Sequence, residues 1–316
     1  MNSNQTFQLN VFIDFSLPGR QIGEEWGLSV LLKNLSVADF TTIINLLLIE
    51  RSIMVVGKDS LDVSASIFAL TSLLKPYEWA GTVIPILPEM MIDFLGSPVP
   101  YIVGISGATS RNILEDYRVG EALQDGLSVI HLNDGYIFQT PEEGISDIVL
   151  YTCPTLRGKL THLKSRLSEL SRDHMFSGLS SFDHFMSNGM RPSEAIVLRT
   201  VRSAVRDYAC QLAGDLHEKR GAFKKYGQMN KDTNEFEFYP EWFVAPRRSE
   251  WLLQEKLVHT QLFVSYVSKI RSDYEAEFSP REIAAKKKIA RWLYREWTRK
   301  KDIKRMKCYR SRSVKF

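Results

Sequence analysis

The sequence predicts an α/β fold with a mostly parallel sheet, followed by an all-α half. Three observations predict it. Over residues 50–135 short apolar runs alternate with stretches of helical period, the pattern of strands joined by helical crossovers. The runs, such as Ile53-Met54-Val55-Val56, are apolar on both faces, as strands buried inside a parallel sheet are. After Pro154 the character changes: 156–172, 192–228 and 249–275 are long, polar-rich and helical in period.

Taken in order, residues 7–17 read as an extended segment ended by Pro18-Gly19. A helix is expected over Leu28–Glu50, with Ser36 able to cap the part that carries apolar positions 40, 43, 44, 47 and 48. Ile53–Val56 is the first strand, bounded by Gly57, and Asp62–Leu74 the next helix, stopped by Pro76. Thr82–Leu87 reads as a strand whose Pro85 suits an end or an edge. Glu89–Leu95 supplies a helical turn or two, and Pro98-Val99-Pro100 forces extension. Tyr101–Ile105 and Leu127–Leu132 are the third and fourth strands, the last ended by Asn133-Asp134-Gly135. Residues 229–240 read as a loop.

With 316 residues, 44% of them hydrophobic and 11% aromatic, the chain can bury a substantial core as one large or two modest domains. No apolar run approaches the ~20 residues of a membrane-spanning helix. The start MNSNQTFQLN lacks the basic and apolar regions of a secretory signal. Cys153, Cys210 and Cys308 are far apart and odd in number, giving neither a disulfide framework nor zinc spacing; a reducing cytoplasm fits. From Arg281 to Phe316 fifteen basic residues face three acidic ones, a net of +12, while the other 280 residues carry a net of −8. An acidic body thus bears a basic tail, and the high isoelectric point is no nucleic-acid signature of the fold.

Chemical constellations are not found. Gly57-Lys58-Asp59-Ser60 follows a strand, but a phosphate loop needs Gly where Ser52 stands and Ser or Thr where Asp59 stands. Gly104-Ile105-Ser106-Gly107 nearly matches a nucleophile elbow, except that Ala108 occupies the second glycine position. Histidines 131, 162, 174, 184, 217 and 259 form no ligand pair at helical spacing. Glu24-Glu25 and Glu142-Glu143 read as solvated loop charges. No catalytic residue, metal or cofactor is expected.

Leu47–Ile105 carries Glu50-Arg51, Ser64, Ser66, Pro76-Tyr77-Glu78-Trp79, Ile84–Pro88 and Ser97–Gly104 in succession. In that order these pieces resemble the central module of DENN domains. Ser128–Gly135 is similar to the family's following strand, with His131 and Asn133 departing from its Leu-Asp-Asn ending. Val201–Leu216 and Trp251–Ile270 look like the opening and closing helices of the downstream module. The division expected is therefore an N-terminal segment 1–27, a central α/β module 28–155, a helical module 156–275 and a basic tail 276–316. Physically, the clustered prolines set rigid turns, Trp79 anchors a helix against the sheet, and Glu50-Arg51 reads as a helix-end cap or ion pair.

The resemblance implies a guanine-nucleotide exchange factor for a Rab-type small GTPase, which grips the switch regions and stabilises the emptied form. A non-catalytic DENN scaffold or effector in membrane trafficking is the alternative. A GTPase-activating role would need an inserted arginine, for which Arg111, Arg247 and Arg248 stand in loops. The family's upstream longin-like module has only about 27 residues of room before the match, so a second chain supplying it, a fragment, or reduced exchange activity is expected. Loops beyond the carboxyl ends of parallel strands are the usual binding edge of an α/β sheet. That nominates Lys58, Asp59, Ser60, Ser106, Ser110, Asn133 and Asp134 for the GTPase.

In the tail, residues 282–307 place Ile289, Trp292, Leu293, Trp297 and Ile303 between basic residues. A basic amphipathic helix reads as a membrane-surface or calmodulin-type target, nominating Lys286, Lys287, Lys288, Arg291, Trp292, Arg295 and Trp297 for an anionic membrane. A nuclear-localisation-like run, RNA contact, or a last helix packing its tryptophans on the helical half fits the same pattern. No specific nucleic-acid partner is predicted.

Overall fold

A computed structural model describes residues 17–107, 113–140, 153–172, 191–219, 221–230, 236–244 and 251–277. Helix α1 spans Leu17–Asn34 and α2 spans Val37–Leu48. Ser36 ends the first and caps the second: its Oγ accepts the Asp39 amide at 3.0 Å. The single helix expected from Leu28 is thus two. Pro18 and Gly19 lie in the first turn of α1 instead of ending an extended segment; a proline there gives up an N–H that has no helical partner. At the other end, the Lys164 ammonium donates to the Leu35 carbonyl just past α1, placing a cation where helix carbonyls point.

The sheet has the order β2-β3-β1-β4-β5. β1 (Ile53–Gly57), β2 (Thr82–Ile84), β3 (Tyr101–Ser106) and β4 (Ser128–His131) run parallel. β5 (Tyr136–Gln139), which was not foreseen, returns antiparallel to β4 and makes an edge. β2 stops at Ile84, so Pro85 falls just past the end of an edge strand, where its missing N–H breaks no central ladder.

The period of two divides the strands between two cores. Ile53, Val55, Ile102, Ile130 and Leu132 face one side, joining α1, α2 and α3 (Ser60–Leu73). Met54, Val56, Val103, Ile105 and Val129 face the other, under the 3-10 helix Glu89–Gly96 and α4 (Tyr117–Gln124), a helix the sequence reading did not assign. α1 lies on α3 at Gly27, and β3 passes under α3 at Gly104; a Cβ at these glycines would lie 1.9 Å from the Ala65 carbonyl oxygen and 2.1 Å from that of Pro85.

The helical half comprises α5 (Pro154–Arg172), α6 (Pro192–Ala213), α7 (Trp251–Leu257) and α8 (Gln261–Glu277). The expected helix 192–228 breaks at Gly214, whose φ of 54° no helix continues through. Where the end of that helix and the loop 229–240 were expected, β6 (Gly227–Met229) pairs antiparallel with β7 (Phe236–Phe238), and 249–275 is interrupted between α7 and α8. Leu198, Val201, Leu253, Leu257, Leu262 and Phe263 join the same core as α1–α3. The helical half therefore covers one face of the α/β layer as a continuous hydrophobic body. Polar bonds tie it down. Tyr77 donates to the Ala209 carbonyl at 3.2 Å, Tyr208 to Asn45 Oδ1 at 3.1 Å, and Arg199 to Glu25 at 2.9 Å. Trp79 packs half-buried against this core, within the irregular segment between α3 and β2. Among the described residues no helix is long and apolar enough to cross a membrane.

Three buried tyrosines give the fold an alkaline limit. Burial, with Tyr266 and Cys210 nearby, pushes the Tyr77 phenol well above its ordinary value of 10.0. Burial first, then Asp125, raises Tyr101 to about 12, and burial with Cys210 raises Tyr266 to about 12. Below pH 10 all three are protonated in both states and nothing is lost. Above it the unfolded chain ionises first, so each tyrosine removes about 1.4 kcal/mol of stability per pH unit until its folded value is reached. Denaturant titrations at pH 8, 10 and 11 should show constant stability to about 10 and a steep fall beyond.

Candidate partner-binding surface

The register places the ends of three parallel strands together: Gly57 stands beside Ser106, and Val56 beside His131. The turns that follow β1, β3 and β4 therefore leave from one edge of the sheet. β1 is the switch point, because the chain goes from it to β2 and β3 on one side and then crosses to β4 on the other.

Lys58 follows Gly57 with its side chain exposed, and its amide donates to Asn133 Oδ1 at 2.8 Å, joining the first and third turns. That bond takes an amide a phosphate loop would need for its anion. Asp59 caps α3, its Oδ1 accepting the Leu61 amide at 2.8 Å, and Ser60 opens the helix. Asp134 pairs with His131 at 2.9 Å, and the His131 ring stacks on Tyr136 at 5.3 Å. Ser106 ends β3 half-buried, followed by Gly107 at φ 78°. Of the seven residues nominated for a GTPase, Lys58, Asp59, Ser60, Ser106, Asn133 and Asp134 thus share one edge. Ser110 lies outside the described residues, as do all seven nominated for a membrane and Arg111, Arg247 and Arg248.

Sequence reasoning missed two parts of this edge. Leu61 is 42% exposed in the first turn of α3, an apolar side chain beside Lys58 and Asp59. Its signal was an apolar residue directly after a capping Asp-Ser pair. Gly135 has a φ of 69°, and a Cβ there would come within 2.5 Å of the Asn34 carbonyl oxygen, so the Asn-Asp-Gly turn rests on the end of α1.

Elsewhere, a cleft of about 980 Å³ opens in the helical half between α6, the turn Asp215–Glu218 and the residues Trp242 and Phe243. Burial raises Asp215, but hydrogen bonds from Tyr226 and Lys225 outweigh it and hold the carboxyl below its ordinary range. Burial also raises the Cys210 thiol against the pull of Arg206, which is the reverse of nucleophile activation. Among the described residues no cluster of His, Cys, Asp and Glu could hold a metal.

Residues 1–122 match the model of the DENN (AEX-3) domain. Over this segment the chain is similar to DENN domains. The match ends inside α4, so β1 to β3 and the first two turns of the edge lie in the DENN segment, and the Asn133 turn lies beyond it. Similarity also extends past residue 122. DENN domain-containing protein 2A of Homo sapiens is 28% identical over 233 residues, covering 73% of this chain and 22% of the relative. The Mus musculus protein 2A is 29% identical over 143 residues (45% of this chain, 13% of the relative). DENN domain-containing protein 2B of Homo sapiens is 35% identical over 109 residues (34% and 9%). The chain thus spans a small part of the length of the DENN proteins it matches, 9% to 22% in these three.

Proposed function

We propose that the chain binds a Rab-type small GTPase at the carboxyl edge of its sheet and promotes nucleotide release by stabilising the emptied form. The observation that carries this reading is the junction of the Lys58 and Asn133 turns at the switch point of a DENN-like sheet. An exposed ammonium at Lys58 and an exposed apolar side chain at Leu61 stand together there, a pairing suited to a protein surface and unsuited to covalent chemistry. No acid, base or nucleophile is required. A nucleotide held at nanomolar affinity is worth about 12 kcal/mol. An interface of ~1,600 Å² in total can compete with that only if it prefers the open GTPase.

Release of a labelled nucleotide across a panel of Rab proteins tests the reading. Acceleration by the wild-type chain is expected for at least one member, with a loss of tenfold or more in the double variant Lys58→Glu/Leu61→Asp. Both side chains are exposed, so the variant should keep its stability within about 0.5 kcal/mol. Binding without acceleration would instead favour the scaffold reading. Acceleration that the double variant leaves intact would move the site away from this edge.

A further inference from the structure

The outer surface of the second core carries an apolar patch that the GTPase reading does not use. Met90 is 89% exposed, Met91 48% and Tyr117 71%. The first two belong to the 3-10 helix Glu89–Gly96, the third opens α4, and Arg118 ties the two elements together. Its guanidinium reaches Asp93 at 3.1 Å and Asp116 at 2.7 Å, and sits 5.7 Å from the centroid of the Tyr117 ring. Asp93, Glu115, Asp116 and Glu121 belong to these two elements and the turn before α4, an excess of carboxylates over the Arg118 guanidinium among the described residues. Flexible methionines beside an aromatic, with carboxylates in excess, suit a basic amphipathic helix: the thioethers adapt to large apolar side chains and the carboxylates meet Lys and Arg.

We propose that this patch docks the basic segment 282–307 of a second copy of the chain. That segment repeats apolar residues at 289, 292, 293 and 297 among eleven basic and three acidic residues, an apolar stripe with a cationic surround. The same chain is a poor donor for its own patch. The segment follows α8, which belongs to the core on the opposite face of the sheet. To dock on its own chain the segment would have to pass round the edge of the sheet, which a second copy avoids. Reciprocal exchange of two such segments closes a two-fold dimer. The proposal is independent of the GTPase reading and uses none of its residues.

Sedimentation of the full chain tests it. The wild type should dimerise at micromolar concentration in low salt and dissociate as salt is raised. Met90→Lys/Tyr117→Lys should be monomeric, and so should Lys286→Glu/Lys287→Glu/Lys288→Glu. Mixed together, these two variants should recover a one-to-one complex, since one retains the segment and the other the patch. Both patch positions are exposed enough that thermal stability should not change, which separates lost docking from lost folding. A wild type monomeric at every concentration, a dimer that survives the patch substitutions, or no complex on mixing would each overturn the proposal. So would a tail variant that loses binding to phosphatidylserine vesicles while self-association stays as in the wild type, because the segment would then serve a membrane.

Discussion

Replacing Gly27 with alanine should cost about 3 kcal/mol or more, enough to leave a large unfolded fraction in a marginally stable chain. The added Cβ would lie 1.9 Å from the Ala65 carbonyl oxygen, 2.2 Å from its carbon and 2.8 Å from the Ser66 nitrogen. All three atoms are backbone of α3, so no rotamer change relieves the clash. α1 and α3 must move apart, and the core between them, with Leu28, Leu31, Val63 and Ile67 on its walls, loses contact as it opens. Overpacking of this kind costs about 1–3 kcal/mol, and the voids left by separation add to it. Denaturant unfolding measures the loss. Gly120→Ala is the internal comparison: it lies in α4 with nothing within 4 Å of the new methyl. It should stabilise by about 0.5–1 kcal/mol through lower chain entropy. A Gly27 variant within about 1 kcal/mol of wild type would contradict this helix contact.

The same contact shows what the sequence could and could not disclose. Ile53–Val56 and Tyr101–Ile105 are apolar on both faces, so their burial in a parallel sheet was legible from composition alone. Tyr136–Gln139 is an edge strand of four residues, and its run Tyr136-Ile137-Phe138 is too short to mark a strand by periodicity. The Asn-Asp-Gly turn before it was the usable hairpin signal. α1 was hidden because Pro18-Gly19 reads as a break unless the helix start is known. The break at Gly214 was hidden because one glycine inside a long periodic stretch is often tolerated. The binding edge followed from topology, since carboxyl-end turns of parallel strands converge whatever their residues. What individual residues do there was less legible: Asp59 caps α3, and Asn133 serves the Lys58 amide. Such roles depend on partners up to 75 positions away, beyond the reach of any local pattern.

Glu50 is the farthest-reaching case, and Glu50→Ala should destabilise the chain by about 2 kcal/mol. The sequence places it at the end of one helix, yet its carboxylate caps another. Oε2 accepts the Gln261 amide at 2.8 Å and Oε1 the Leu262 amide at 2.7 Å, both in the first turn of α8. Those amides have no helical partners of their own, and the positive end of the helix dipole favours an anion there. Charge-assisted bonds are about twice as strong as neutral ones. The link also joins the end of α2 to the helical half beside Phe263, whose ring packs 6.2 Å from that of Tyr77. To reach α8, Glu50 adopts a φ of 56°, which a side chain with a Cβ resists. Three variants separate the effects. Glu50→Gln keeps one acceptor without charge and should lose about half as much as alanine. Glu50→Gly loses the cap but relieves the backbone, and should fall about 0.5–1 kcal/mol short of the alanine loss. Should alanine and glycine lose equally, the left-handed backbone costs nothing; should glutamine lose nothing, the charge contributes nothing and geometry alone holds α8 in place.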